Sequence, residues 1–159
     1  MIERMQPTLL PERALSLSWP WPHFMLCLPP ELLKRIENRK PGFSHKSFRG
    51  PCWVHVTPPK SRRSFDEACH FAAVLYGVPV ELMPRYDAFP GRGIVGRWDV
   101  VDLLPPPRLC QLPDRWRMAG QVGFVTENAR PVSFVPCNGA LGFWRVPPDV
   151  LAKLETSDV

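Results

Sequence analysis

Proline limits what this chain can fold into: 21 of its 159 residues are proline, against a usual share of ~5%. Each one fixes φ and deletes a backbone donor, so long helices are excluded and the chain must turn often. Disorder is excluded too, because apolar residues make up 45% and charged residues 22%, values ordinary for a globular protein. The length suits one core. No apolar run approaches the ~18–20 residues of a membrane helix. The opening MIERMQPTLLPER lacks a secretory apolar segment, so a cytoplasmic protein with no membrane partner is expected.

Patterning between the prolines favours short strands. Ala14 to Trp19 alternates, with Leu15, Leu17 and Trp19 on one side, which predicts a strand. Pro22 to Leu28 predicts a short helix stopped by Pro29-Pro30, and Ile36 to Lys40 an extended segment. Cys52 to Thr57 alternates again, Cys52, Val54 and Val56 opposing Trp53, His55 and Thr57. Ser64 to Gly77 is the best helix: Ser64 with Glu67 fits a capping box, and Gly77 suits the stop. Gly93 to Leu103 predicts a long strand bulged at Gly96, followed by a loop from Pro105 to about Gly120. Further strands are expected at 122–129, 132–135 and 141–146. The expected fold is mainly β with α (α+β), a small β-barrel with two or three short flanking helices. Residues 1–12 form a loose arm, 13–147 the domain, and 148–159 a tail with a possible short helix.

Charge is unevenly placed. Between Lys34 and Arg63 lie nine basic residues (Lys34, Arg35, Arg39, Lys40, Lys46, Arg49, Lys60, Arg62, Arg63) against one acid, Glu37, although the whole chain is only +5. Concentrated positive charge attracts polyanions. Arg62 and Arg63, read as loop residues ahead of the Ser64 cap, suit diffuse phosphate contacts. In KRIENR, an extended 36–40 puts Glu37 and Arg39 on one face, with Lys34 one turn earlier. Two cations and a carboxylate converging this way suit a base edge beside a phosphate, or form an ordinary surface pair. The five cysteines (27, 52, 69, 110, 137) and four histidines have no metal-ligand spacing. No metal or cofactor is expected, and no phosphate-loop or hydrolase signature occurs.

The run ALSLSWPWPHFML, then KRIENR, then FRGPCWVHV resembles the ASCH domain of the PUA-like superfamily. Pro20-Trp21 matches the family's Pro-Trp pair, Lys34, Glu37 and Arg39 its G-x-K-x-x-E-x-R motif, and His55 its strand histidine. GRGIVGRWDVVDLL and VGFVTENARPVSFVPCNGALGFWRVP resemble its later strands, so the likeness runs from about Arg13 to Pro147. The chain departs from the pattern at Leu32, where the motif has glycine, and at Val56, where it has alanine. The resemblance implies a PUA-like barrel with a basic cleft that binds nucleic acid, RNA ahead of DNA, in some relatives around a modified or flipped base. Lys34 and Arg39 would then hold phosphate or a base acceptor, Glu37 would orient Arg39, and Trp21 would wall the cleft. Trp19, Trp53 and His55 are further candidates for ligand contact. An alternative is a hydrolase of RNA or a modified nucleoside, with Lys34 and Glu37 catalytic; another is a protein-interaction module in a transcription or translation complex. One amidohydrolase branch of the family has threonine at the place of Glu37, and a carboxylate cannot replace a hydroxyl nucleophile without changing the mechanism.

Overall fold

Six strands and three helices make a mixed α/β fold around one curled, half-barrel sheet. The computed structural model describes residues 10–107 and 116–157. The elements run β1 (Arg13–Ser18), α1 (Trp21–Leu26), β2 (Ile36–Arg39), β3 (Gly50–Thr57), α2 (Arg62–Tyr76), β4 (Gly93–Leu104), β5 (Val122–Pro136), β6 (Phe143–Arg145) and α3 (Pro148–Ser157). Sheet order is β2-β5-β4-β3-β1-β6; only β1 and β3 pair in parallel. Most of the expected arm, residues 1–9, and half of the expected 105–120 loop, 108–115, lie outside the described residues.

Both faces of the sheet are covered, and this decides where each alternating residue goes. Leu15, Leu17, Cys52, Val54, Trp98, Val100, Phe124 and Phe143 fill the inside of the curl. Ala14, Trp53, Ile94, Trp144 and Val146 meet Val150 and Leu154 of α3 on the outside. The expected tail is therefore a helix of ten residues that closes the outer core. Phe24 of α1, Leu28 just after it, Ala72 of α2, Val78 and Trp116 make a third cluster.

A bulge lets β4 serve both faces. Val54 pairs with Gly96 but His55 with Ile94, so Val95 is the extra residue. The parity then reverses: Ile94 faces the outer core, while Trp98 and Val100 face the inner one. Gly96 sits at this point because a Cβ there would lie 2.4 Å from Leu26 of α1 and 2.8 Å from the Arg130 carbonyl. The expected pair of strands 122–129 and 132–135 is one strand, β5, kinked at Asn128 with φ 55°. Asn128 donates to Asp99 at 2.9 Å, a short polar side chain suited to that conformation. Pro131 is tolerated because β2 pairs only Val122–Val125 and leaves β5 an edge beyond it.

Among the described residues no helix is long and apolar enough to cross a membrane. Cys27, Cys52, Cys69 and Cys137 are free thiols.

Candidate functional site

The sheet's curl leaves a seam between β1 and β2, and a cleft lined by charged and aromatic side chains opens there. β6 is only three residues long and pairs with Arg13–Leu15, so from Ser16 onward that edge of β1 has no strand beside it. The Trp19 N–H donates to Thr57 on β3 at 2.9 Å. Main-chain groups alternate along a strand, so those of Ser16 and Ser18 point away from β3, toward the seam. Arg39 at the end of β2 crosses the gap, its Nη2 donating to the Ser16 carbonyl at 2.9 Å.

Behind this bridge lies a buried charge triad. Glu37 accepts from Arg39 at 2.9 Å and lies 3.4 Å from the Lys34 ammonium. Lys34, 1% exposed, also donates to the Ile36 carbonyl and lies 5.3 Å from the centre of the Trp21 ring. Strand alternation brings Glu37 and Arg39 to one face, and the Lys34 N–H, bonded to the Phe24 carbonyl at 2.9 Å, ties the third member to α1. Burial holds the Lys34 pKa below the ordinary lysine value, and the Glu37 carboxylate opposes that shift. The triad is a desolvated pair with a second cation, not the ordinary surface pair that spacing also allowed.

The cleft has a volume of about 780 Å³, a size that holds a drug-sized ligand. Trp21 and Phe43 supply its apolar walls, Lys34, Glu37 and Arg39 its floor, and Lys40, Lys60, Ser18, Thr57 and Gln121 its polar surround. Phe43 is held by edge-on contacts to Phe124 and Phe143 at 5.7 and 5.8 Å. Asn38 points the other way from Glu37 and clamps a distant segment, donating to the Trp116 carbonyl at 2.6 Å and accepting from the Met118 N–H at 3.0 Å. That clamp brings Met118 to the cleft.

Four of the expected site residues lie elsewhere. Trp19 begins the turn after β1, and its indole donates to the Arg85 carbonyl at 3.1 Å, outside the cleft lining. Trp53 is wholly buried under α3. Arg62 and Arg63 are not loop residues: Ser61 caps α2 by accepting from the Ser64 N–H at 3.0 Å, one turn earlier than the Ser64–Glu67 pattern suggested. The two arginines therefore sit in the first helical turn and pair with Asp66 and Glu67 at 3.2 and 3.0 Å. They border an outer groove beside Phe71, Val74 and Leu75 that shares no residue with the cleft.

His55 is the remaining correction, a structural histidine in the outer core. Its Nε2 lies 2.9 Å from the Cys137 carbonyl, which must accept, so Nε2 carries the proton. Nδ1 then accepts from the Ser16 hydroxyl at 3.0 Å, and Ser16 in turn accepts from the Trp144 indole at 3.0 Å. Each polar side-chain atom of this relay has a partner. Burial, opposed by the Cys137 hydrogen bond, holds the His55 pKa below its ordinary 6.5. In acid the unfolded chain binds a proton there that the folded chain refuses, so stability falls as pH drops through 6.5. Melting temperatures measured down through that pH should decline, and His55→Gln should flatten the decline. An equally steep acid loss in the variant would remove His55 as the cause.

Compared with protein-family models and with curated proteins, the chain gives no match in either. Among the described residues no group of three or more His, Cys, Asp or Glu side chains could hold a metal. Lining residues that sequence reasoning passed over as a site include Lys40, Phe43, Lys60, Met118 and Gln121. Only the two lysines left a trace, as members of the basic run.

Proposed function

We propose that the cleft binds single-stranded nucleic acid, RNA ahead of DNA, with one base against Trp21 and Phe43 and the phosphates outside. The observation that carries this reading is the layering of charge. Among the described residues Glu37 is the one carboxylate lining the cleft, and it is held between Lys34 and Arg39. The other described residues that line the cleft are cationic or neutral, a surface that draws in a polyanion. Aromatic walls add stacking, worth roughly 1–3 kcal/mol per base. The resemblance to the ASCH family and its PUA-like barrel supports the same reading, since Lys34, Glu37, Arg39 and Trp21 are the motif positions and all four line the cleft.

Of the nine cations in the basic run, most have protein partners: Arg35 and Arg49 bond to carbonyls, and Lys34, Arg39, Arg62 and Arg63 to carboxylates. Lys40, Lys46 and Lys60 remain. Three phosphate contacts on a single strand give a slope of log K against log salt of about −2. Titrating a labelled single-stranded RNA, and the DNA of the same sequence, across a salt series measures it. Trp21→Ala should weaken binding by roughly 1–3 kcal/mol and leave the slope alone. A flat salt dependence, or no binding at low salt, would end this reading.

The hydrolase reading has less behind it. Lys34 is 1% exposed, and its ammonium is already shared between the Ile36 carbonyl and Glu37, which leaves it poorly placed to move a proton on a ligand. N4-acetylcytidine should therefore be recovered intact after incubation with the protein. Deacetylation abolished in Lys34→Ala would restore the hydrolase reading.

A further inference from the structure

The nucleic-acid reading does not by itself say which groups grip phosphate, and the floor of the cleft is a poor choice. Lys34 and Arg39 are both paired with Glu37, and Arg39 is also tied to the Ser16 carbonyl. Pulling either toward a phosphate would leave a buried carboxylate short of a partner, which is costly. Two other cations line the same cleft. Lys40 follows the last residue of β2. Lys60 follows β3 on the wall opposite, where Thr57 pairs with Ser18 of β1. Both side chains are exposed, neither has a carboxylate or carbonyl partner among the described residues, and the nearest lining acid, Glu37, is already engaged. One lysine stands on each side of the seam.

We propose that Lys40 and Lys60 form a two-point clamp for a phosphate group at the mouth of the cleft. The inference rests on the nucleic-acid reading and refines it: the base goes in, and its own phosphate stays at the rim between the two ammonium groups. A lysine suits this place better than an arginine, because a compact charge on a flexible stem can follow a phosphate whose position varies. The same phosphate chemistry could belong to a strand's backbone or to a free mononucleotide.

The test compares the full-length protein with Lys40→Gln/Lys60→Gln, using a single-stranded RNA, a nucleoside 5′-monophosphate and the parent nucleoside. With RNA the variant should bind roughly tenfold or more weakly at low salt, and its salt slope should be shallower by about 1.4, the loss of two contacts. The nucleoside, which has no phosphate, should bind parent and variant alike. Monophosphate binding that depends on the lysines while RNA does not bind keeps the clamp, assigns it to a free nucleotide and retires the polymer reading. RNA binding with an unchanged slope and affinity in the variant overturns the clamp and leaves the polymer reading standing. If neither RNA nor monophosphate binds the parent, both are wrong. Lys46→Gln, outside the cleft lining, serves as the control: it should shift RNA binding but leave the monophosphate unaffected. A monophosphate loss in Lys46→Gln equal to that of the double variant would also overturn the clamp.

Discussion

Glu37→Ala should destabilise the fold by about 3–5 kcal/mol, the usual cost of removing one partner from a buried ion pair. The reason lies in what it leaves behind. Lys34 would stay 1% exposed with its counter-charge gone, and Arg39 would keep its bond to the Ser16 carbonyl across the seam and its place over the Phe43 ring but no carboxylate. Lys34 can escape by losing its proton. Burial already lowers its pKa and Glu37 is the group that resists, so the variant's Lys34 should titrate lower still. The sign follows directly. Between that lowered value and the 10.5 of a free lysine, the unfolded chain keeps a proton that the folded chain sheds. Raising pH across that window therefore favours the folded variant, and its deficit against the parent should shrink. Lys34→Met removes the other partner but leaves Glu37 bonded to Arg39, so its cost should be clearly smaller. Urea unfolding of the parent and both variants across a pH series checks all three statements. Equal losses in Glu37→Ala and Lys34→Met would mean that the triad is not the charge balance described.

Gly96→Val should cost about 1–3 kcal/mol or more, and should damage the cleft although Gly96 is not part of it. The added Cβ would meet Leu26 and the Arg130 carbonyl at 2.4 and 2.8 Å. Leu26 can rotate, but the carbonyl is backbone and cannot. The carbonyl belongs to β5 and yields only by a backbone shift there, whereas the Leu26 contact is also relieved by moving α1 off the sheet, and α1 begins with Trp21 and holds the Lys34 N–H through Phe24. Stability and ligand affinity should therefore fall together, whereas Trp21→Ala lowers affinity chiefly. A variant that loses stability but binds like the parent would show that α1 does not set the cleft.

How much of this was legible in the sequence depends on the range of the interaction. Glu37 and Arg39 share a face because strand geometry is local, and the bulge at Gly96 is marked by its own glycine. Three short strands and the α2 helix end at turn residues for the same reason. Lys40 and Lys60 were visible only as charge, since their place in the lining of one cleft depends on β2 leaving its sequence neighbours to pair with β5. For His55 and Trp53 alternation says that they share a face, not what covers it. Over Trp53 the cover is α3, almost a hundred residues later, and against His55 it is the Cys137 carbonyl and the Trp144 ring. The cap of α2 lies three residues before the Ser64 that sequence suggested, because the Ser64 N–H donates to the Ser61 hydroxyl.

The shortness of β6 also bears on the order of events during synthesis. β6 pairs residue 145 with residue 13, and the Val146 N–H donates to the Glu12 carbonyl at 3.0 Å, so the first strand made is flanked by the last. Contacts of such long sequence separation are slow to form, because loop closure must precede any gain from pairing. All the cleft-lining residues up to Gln121 leave the ribosome before Phe143. The nascent chain thus carries every described residue of the cleft lining before β6 exists to cover the outer edge of β1.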